Sequence, residues 1–291
     1  MTTDVWYDGQ TGVMQTAIKG PYDLAVQSDF FGGWTRPADG GIVMAFPVEG
    51  WTHSAAVTLR QRKDKIEGQV YGGAGAAWEQ ALSVLSLDTD GTGFPAVGER
   101  DPVIGKLQHE HGFVRPVLFH SPYEAACAFI IGHRLRITQG RAIRARLARD
   151  HGETFDAGGT TVHAFPAPHR LLELNELPGI NSEKVARLHG IARAALDGRL
   201  DRARLRAAPL AESLAAVREL RGVGALFATG IVLRGAGLVD TMPGDDMTLA
   251  GIKRHYGPDA DIDTITQAWR PYRTWCSVLI HGLERHATSR P

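Results

Sequence analysis

The spacing of apolar positions along the 291-residue chain changes character near residue 120. Upstream, short runs bounded by Gly, Pro and Asp predict strands. Ile42-Val43-Met44-Ala45-Phe46 is closed by Pro47, and Ser54 to Arg60 alternates with Ala55, Val57 and Leu59 on one face. Ile66 to Tyr71 follows the polar stretch Arg62-Lys63-Asp64-Lys65. Connections this short pair neighbouring strands antiparallel. Ala74 to Leu85 is the first predicted helix, with Trp78, Leu82 and Leu85 at helical intervals. The Gly- and Asp-rich stretch Asp88 to Arg100 marks a junction, so residues 1–90 read as one domain and 91–291 as a second.

Downstream the helical period takes over. Tyr123 to Ile131 is apolar and helical in length. Arg141 to Asp150 turns Ile143 and Leu147 inward, while Arg141, Arg144, Arg146 and Arg149 cover the outside as snorkelling side chains. Ser182 can cap a helix reaching Leu196, and Gly198 can end it. Leu214, Val217 and Leu220 keep the period, as does Gln267 to Leu283. The whole predicts an α+β protein, antiparallel and β-rich at the start and all-helical in its second half, without internal repeats.

Composition narrows the classes. A hydrophobic content of 43% with 22% charged residues excludes general disorder. No apolar run approaches the roughly 20 residues of a membrane span, and Met1 to Gly20 lacks the basic-then-apolar order of a secretory signal. Cys127 and Cys276 are too few for a disulfide framework or a cysteine zinc site, so a reducing, cytoplasmic setting is expected. The 12 histidines form no ligand-spaced cluster, and His109 and His111 fall in an expected loop. Lys+Arg and Asp+Glu cancel at 32 each, yet residues 1–117 carry 9 against 14 and residues 118–291 carry 23 against 18. That asymmetry points the helical half toward a polyanion.

The chemistry concentrates between Leu214 and Leu249. A helix ends at Leu220, Arg221-Gly222-Val223-Gly224 follows, and an apolar run extends from Ala225 to Leu233. Two glycines around one aliphatic residue make a tight hairpin in which each Gly can take φ > 0 and Val223 can plug between the helices. The amides at the start of the second helix then face outward, an anion site that needs no basic side chain. Beyond it, Pro243-Gly244 forces a turn and Asp245 or Asp246 opens another helix. Asp246 is assigned the helix N-terminus facing the groove that the hairpin grips, where the helix end keeps a carboxylate ionised. Leu177-Pro178-Gly179-Ile180-Asn181 also looks like a hairpin, with Asn181 able to replace a Gly at φ > 0, but no aspartate loop follows and it reads as a structural turn.

Leu220 to Gly224 followed by Asp240-x-x-Pro243-x-x-Asp246 resembles the helix-hairpin-helix motif with Gly/Pro-rich loop and aspartate of the base-excision DNA glycosylases, and within them the bacterial 3-methyladenine DNA glycosylase II group. Gly20-Pro21-Tyr22-Asp23-Leu24, Leu87-Asp88-Thr89-Asp90, Ser121-Pro122-Tyr123-Glu124 with Ile130-Ile131-Gly132-His133, Ala164-Phe165-Pro166-Ala167-Pro168 and Trp269-Arg270-Pro271-Tyr272-Arg273 match in order over nearly the whole chain. The resemblance implies a TATA-binding-protein-like N-terminal sheet, a helical catalytic core, double-stranded DNA as partner and a monomer. It implies that a damaged nucleotide is flipped into a pocket, that Asp246 stabilises the sugar cation and orients the attacking water, and that Gly222, Val223, Gly224, Ala225 and Phe227 hold the DNA backbone. A K+ or Na+ ion on the carbonyls of Leu220 and Val223 belongs to the same resemblance; no side-chain metal or other cofactor does.

The departures matter as much. Bifunctional relatives carry a Lys where this chain has Leu226, so no Schiff base is expected and the enzyme should be monofunctional. The aromatics that would stack on cationic alkylated purines are replaced at Leu226, Gly230 and His281, and His133 stands where Gln is usual. Leu226, Gly230, His281, His133 and Trp34 are the expected pocket, with Trp51 and Trp275 as further sources of stacking. Arg134 and Leu135 stand at the wedge that fills the gap in the duplex. Alkylated purines are the leading substrate; oxidised or deaminated purines, or damage sensing without turnover, are the alternatives.

Overall fold

In the computed structural model, residues 5–8, 12–31, 34–37, 40–73 and 75–287 are described. The first part builds a five-stranded antiparallel sheet of β1 (Val5–Asp8), β2 (Val13–Ala17), β3 (Ile42–Pro47), β4 (Ser54–Arg62) and β5 (Lys65–Tyr71), in the order β1-β2-β5-β4-β3. The three strands read from the pattern are present, and Lys63-Asp64 turns β4 into β5. Strands β1 and β2 escaped the pattern. Helix α1 (Leu24–Phe31) follows β2, and α2 (Gly75–Val84) packs Trp78 and Leu82 onto Ala55, Val57 and Leu59 of β4. Ala74, where that helix was expected to begin, lies outside the described residues.

Strand β4 is buried through Leu59 on both faces, which alternation alone does not predict. The cover comes from a hairpin in the supposedly all-helical half. Strands β6 (Thr154–Ala157) and β7 (Thr160–His163) turn through Gly158 and Gly159, at φ +62° and +71°. Two positive φ values in a two-residue turn match the twist of the strands they join. Ala157, Val162 and Ala164 then bury Val43, Ala45 and Ala56 on the sheet's other face.

The remaining helices are α3 (Pro95–Arg100), α4 (Pro102–His111), α5 (Pro122–Gly132), α6 (Ile137–His151), α7 (Pro168–Leu172), α8 (Ser182–Leu196), α9 (Arg202–Ala207), α10 (Leu210–Arg218), α11 (Ala225–Gly230), α12 (Asp246–Tyr256), α13 (Ile262–Ala268) and α14 (Arg273–Ala287). Helix α11 runs on as a π-helical turn, Ile231–Ala236, until Gly237 stops it at φ +83°. His109 and His111 lie in α4, not in a loop. The expected continuous helix from Gln267 is two helices, because Pro271 cannot donate to the helical ladder. Cys127 and Cys276 are buried and free. No described helix is long and apolar enough to cross a membrane.

The junction is clasped. Arg115 is fully buried and donates to the carbonyls of Lys19, Pro21, Ser86 and Thr89, with its guanidinium over the rings of Tyr22 and Trp275. Burial pulls its titration down to about 10. Asp88 pairs with Arg206, and Glu49 with the buried Arg202.

Candidate active site

The hairpin is built by α10 and α11. Gly222 sits at φ +87°, and Val223, 6% exposed, plugs the core between the two helices. Gly224 departs from expectation: its φ is −83°, a value open to any residue. Its missing Cβ matters outward instead, since one built there meets no protein atom within 4 Å. No side chain caps α11, and the first-turn amides of a helix have no acceptor within it. Ala225 and Leu226 are exposed at that start, Leu226 by 67%, while Phe227 turns back against Phe129 and His133.

The segment after the π-helical turn is laced to α14. Asp240 accepts from Arg270 Nε at 3.1 Å and Arg273 Nε at 2.8 Å, Thr274 N donates to Val239 O, and Thr274 Oγ1 donates to Thr241 O. This lattice delivers two carboxylates to the start of α12. Of the two candidates, Asp245 is the N-cap: its Oδ1 accepts Thr248 N at 3.0 Å and its Oδ2 accepts Thr248 Oγ1 at 2.8 Å. His281 Nε2 stands 3.2 Å from Asp245 Oδ1. Burial opposes ionisation of Asp245, but the bonds from His281 and Thr248 outweigh it and hold the carboxyl well below the usual range. Asp246 is the first helical residue, exposed beside it.

These groups meet at a cavity of about 630 Å³. Its lining brings together Leu226, Gly230, His281, Asp245 and Asp246. Three phenyl rings that the sequence reading missed complete it: Phe30 and Phe31 from α1, and Phe129 from α5. A side chain at Gly230 would collide with the Phe129 ring, its Cβ 2.2 Å from Cζ, so an aromatic is supplied from the facing helix instead. The expected tryptophans lie elsewhere. Trp34 packs against the sheet core, Trp51 donates to Ala195 O, and Trp275 is buried against Phe94.

No protein-family model matches the chain. It is 23% identical over 208 residues to a DNA-3-methyladenine glycosylase of Bacillus subtilis, covering 69% of each chain. It superposes on the 3-methyladenine DNA glycosylase of Archaeoglobus fulgidus with a TM-score of 0.72 at 15% identity, over 95% of this chain and 99% of that one. The 8-oxoguanine glycosylase/lyase of Clostridium acetobutylicum, solved with double-stranded DNA, gives 0.67 at 16% identity over 99% and 100%. The chain shares the fold of these DNA glycosylases.

The turn between α5 and α6 connects two cavity-lining residues, Phe129 and Ile137. His133 caps α5, its ring edge-on to Phe227, and does not line the cavity. Lys184 Nζ donates to the carbonyls of Ile131 and His133 at 2.8 Å each, fixing the turn. Arg134 is exposed at φ +59°, and Leu135 is half-buried. Neither reaches the cavity lining, whereas Ile137, 75% exposed, does. The decoy turn closes through Ile180 N to Leu177 O. There Gly179, not Asn181, takes the positive φ, and Asn181, not Ser182, caps α8 through Lys184 N.

Proposed function

We propose that the chain is a DNA glycosylase, a hydrolase that releases damaged purines, alkylated ones foremost, from duplex DNA. The observation that carries this is the pairing of an uncapped helix start, able to take a backbone phosphate, with a phenyl-lined cavity bearing Asp245 and Asp246 on one wall. The names of the relatives, which act on 3-methyladenine or 8-oxoguanine, agree with it. The N-terminal sheet is read as the family's TATA-binding-protein-like domain, supported by its five antiparallel strands.

The proposed reaction makes use of this geometry. A base buried in the stack exposes no glycosidic bond, so the nucleotide must turn out, at a cost of a few kcal/mol that damage lowers. Phosphates flanking it bind the amides of Ala225 to Phe227, with nothing at Gly224 to obstruct them. Phe30, Phe31 and Phe129 line the cavity and could stack on a cationic alkylated ring. As the base departs with the bonding electrons, the sugar becomes cationic, and a fixed carboxylate stabilises it and orients water. Asp245 is favoured over Asp246 for this role because three atoms, Thr248 N, Thr248 Oγ1 and His281 Nε2, hold its carboxylate in place. Leu226 has no amine, which supports hydrolysis without lyase chemistry. On the hairpin, Leu220 O closes the turn on Val223 N at 3.0 Å and keeps a second lone pair. With Val223 O it suits a K+ or Na+ ion, which would add positive charge beside the phosphate.

A second reading, oxidised or deaminated purines, draws on the polar lining of Thr229, Ser277 and His281, which can hydrogen-bond a neutral base. Mass spectrometry of bases released from alkylated, oxidised and deaminated duplexes separates the two. Asp245→Asn should lower release by about 100- to 1000-fold, and Asp246→Asn far less. The reverse ranking moves the catalytic role to Asp246, and release unaffected by either removes the mechanism.

A further inference from the structure

We propose that His281 and Thr248 are positioning residues that aim the Asp245 carboxylate into the cavity, acting as one hydrogen-bonded unit. The contact exists because two helices approach closely. Gly251 of α12 lies against Ile280 of α14, where a Cβ would come within 2.5 Å of Ile280 Cγ2. That approach sets Thr248, fully buried, against His281 one residue further along α14.

The protons can be assigned by counting donors. Thr248 Oγ1 has one proton and lies near Asp245 Oδ2, at 2.8 Å, and His281 Nε2, at 2.5 Å. If that proton goes to His281, Nε2 presents a lone pair 3.2 Å from Asp245 Oδ1 and Oδ2 loses its donor. If it goes to Asp245, Nε2–H is shared between Oγ1 and Oδ1, and every acceptor is matched. The second arrangement fixes the Nε2–H form of the imidazole. Both oxygens of Asp245 are then held from the protein side, by Thr248 N, Thr248 Oγ1 and His281 Nε2, leaving remaining lone pairs for the cavity. A misplacement near 1 Å at a reacting group costs about 100-fold in rate, which sets the scale of the effect.

Only the rate arm of the test rests on the glycosylase reading. In the protein without DNA, long-range proton–nitrogen NMR of the imidazoles should show His281 as Nε2–H and its resonances shifted by Thr248→Val. An Nδ1–H imidazole, or one indifferent to Thr248→Val, overturns the proposal whatever the activity. In single-turnover base release, His281→Phe and Thr248→Val should each slow the chemical step by about 10- to 100-fold with duplex affinity within about threefold. The pair combined should be little worse than either alone, and His281→Gln and Thr248→Ser, which keep a donor, should recover most of the rate. Loss confined to DNA affinity, or His281→Gln as slow as His281→Phe, refutes it. If the wild-type protein releases no base from any duplex, the glycosylase reading fails and the NMR arm still decides the contact.

Discussion

Two glycine turns in the helical half share a sequence pattern and end differently. Leu177 to Asn181 leads into α8, where the Asn181 side chain caps the Lys184 amide. Gly222 to Gly224 leads into α11, whose first amides have no side-chain cap and open space in front of them. The glycines do not make the second turn a binding site. On the proposed reading, what fits it for a phosphate is the missing oxygen at the N-cap: a helix start that supplies its own acceptor has less to offer an anion.

That contrast can be broken most sharply by capping the open start. Gly224→Asp gives α11 a carboxylate that accepts its own amides and repels phosphate, so duplex affinity should fall by about 10- to 100-fold. Because a cap adds about 1 kcal/mol, melting temperature should hold or rise. Affinity and stability moving apart supports the distinction; affinity unchanged in a binding titration ends it. Gly222→Ala is next. The backbone there needs φ +87° and a Cβ would press on Arg187 Cδ at 2.7 Å, so about 1–2 kcal/mol of stability should be lost, read by denaturant unfolding. Asn181→Ala is the mirror test. Losing its cap should cost about 1 kcal/mol while duplex affinity stays within about twofold.

The smallest effect concerns a third start, that of α12, where the cap itself faces the cavity. The native-state titration of Asp245 is depressed, so its contribution to stability is whole above the ordinary carboxylate range, near about pH 4, and fades as pH falls below it. The stability gap between wild type and Asp245→Asn should be constant at neutral pH and narrow on acidification. A gap that widens in acid contradicts the depressed titration.

Much of this was legible in the chain. The hairpin, the Pro243 turn and the acidic helix start are local, and glycine, proline and aspartate at those spacings have few alternatives. What escaped was supplied across the fold. Positions Leu226, Gly230 and His281 suggested a pocket stripped of aromatics, yet Phe30, Phe31 and Phe129 arrive from elements distant in sequence. Which of Asp245 and Asp246 takes the N-cap depends on where α12 begins, the least determined feature of a helix pattern. The β6–β7 hairpin carried its own signal, Gly158-Gly159 between two Thr-containing runs, and was overlooked beneath the surrounding helical rhythm.

The buried guanidinium of Arg115 limits how the molecule can be divided. A cut near residue 90 would leave the C-terminal piece with Arg115 and Trp275 but without the carbonyls of Lys19, Pro21, Ser86 and Thr89. Those four acceptors would remain on the other piece with no cation to serve. Neither fragment is then a natural unit for expression, proteolytic trimming or exchange with a protein of the same fold, although the sequence invites a boundary there. The two halves should melt together.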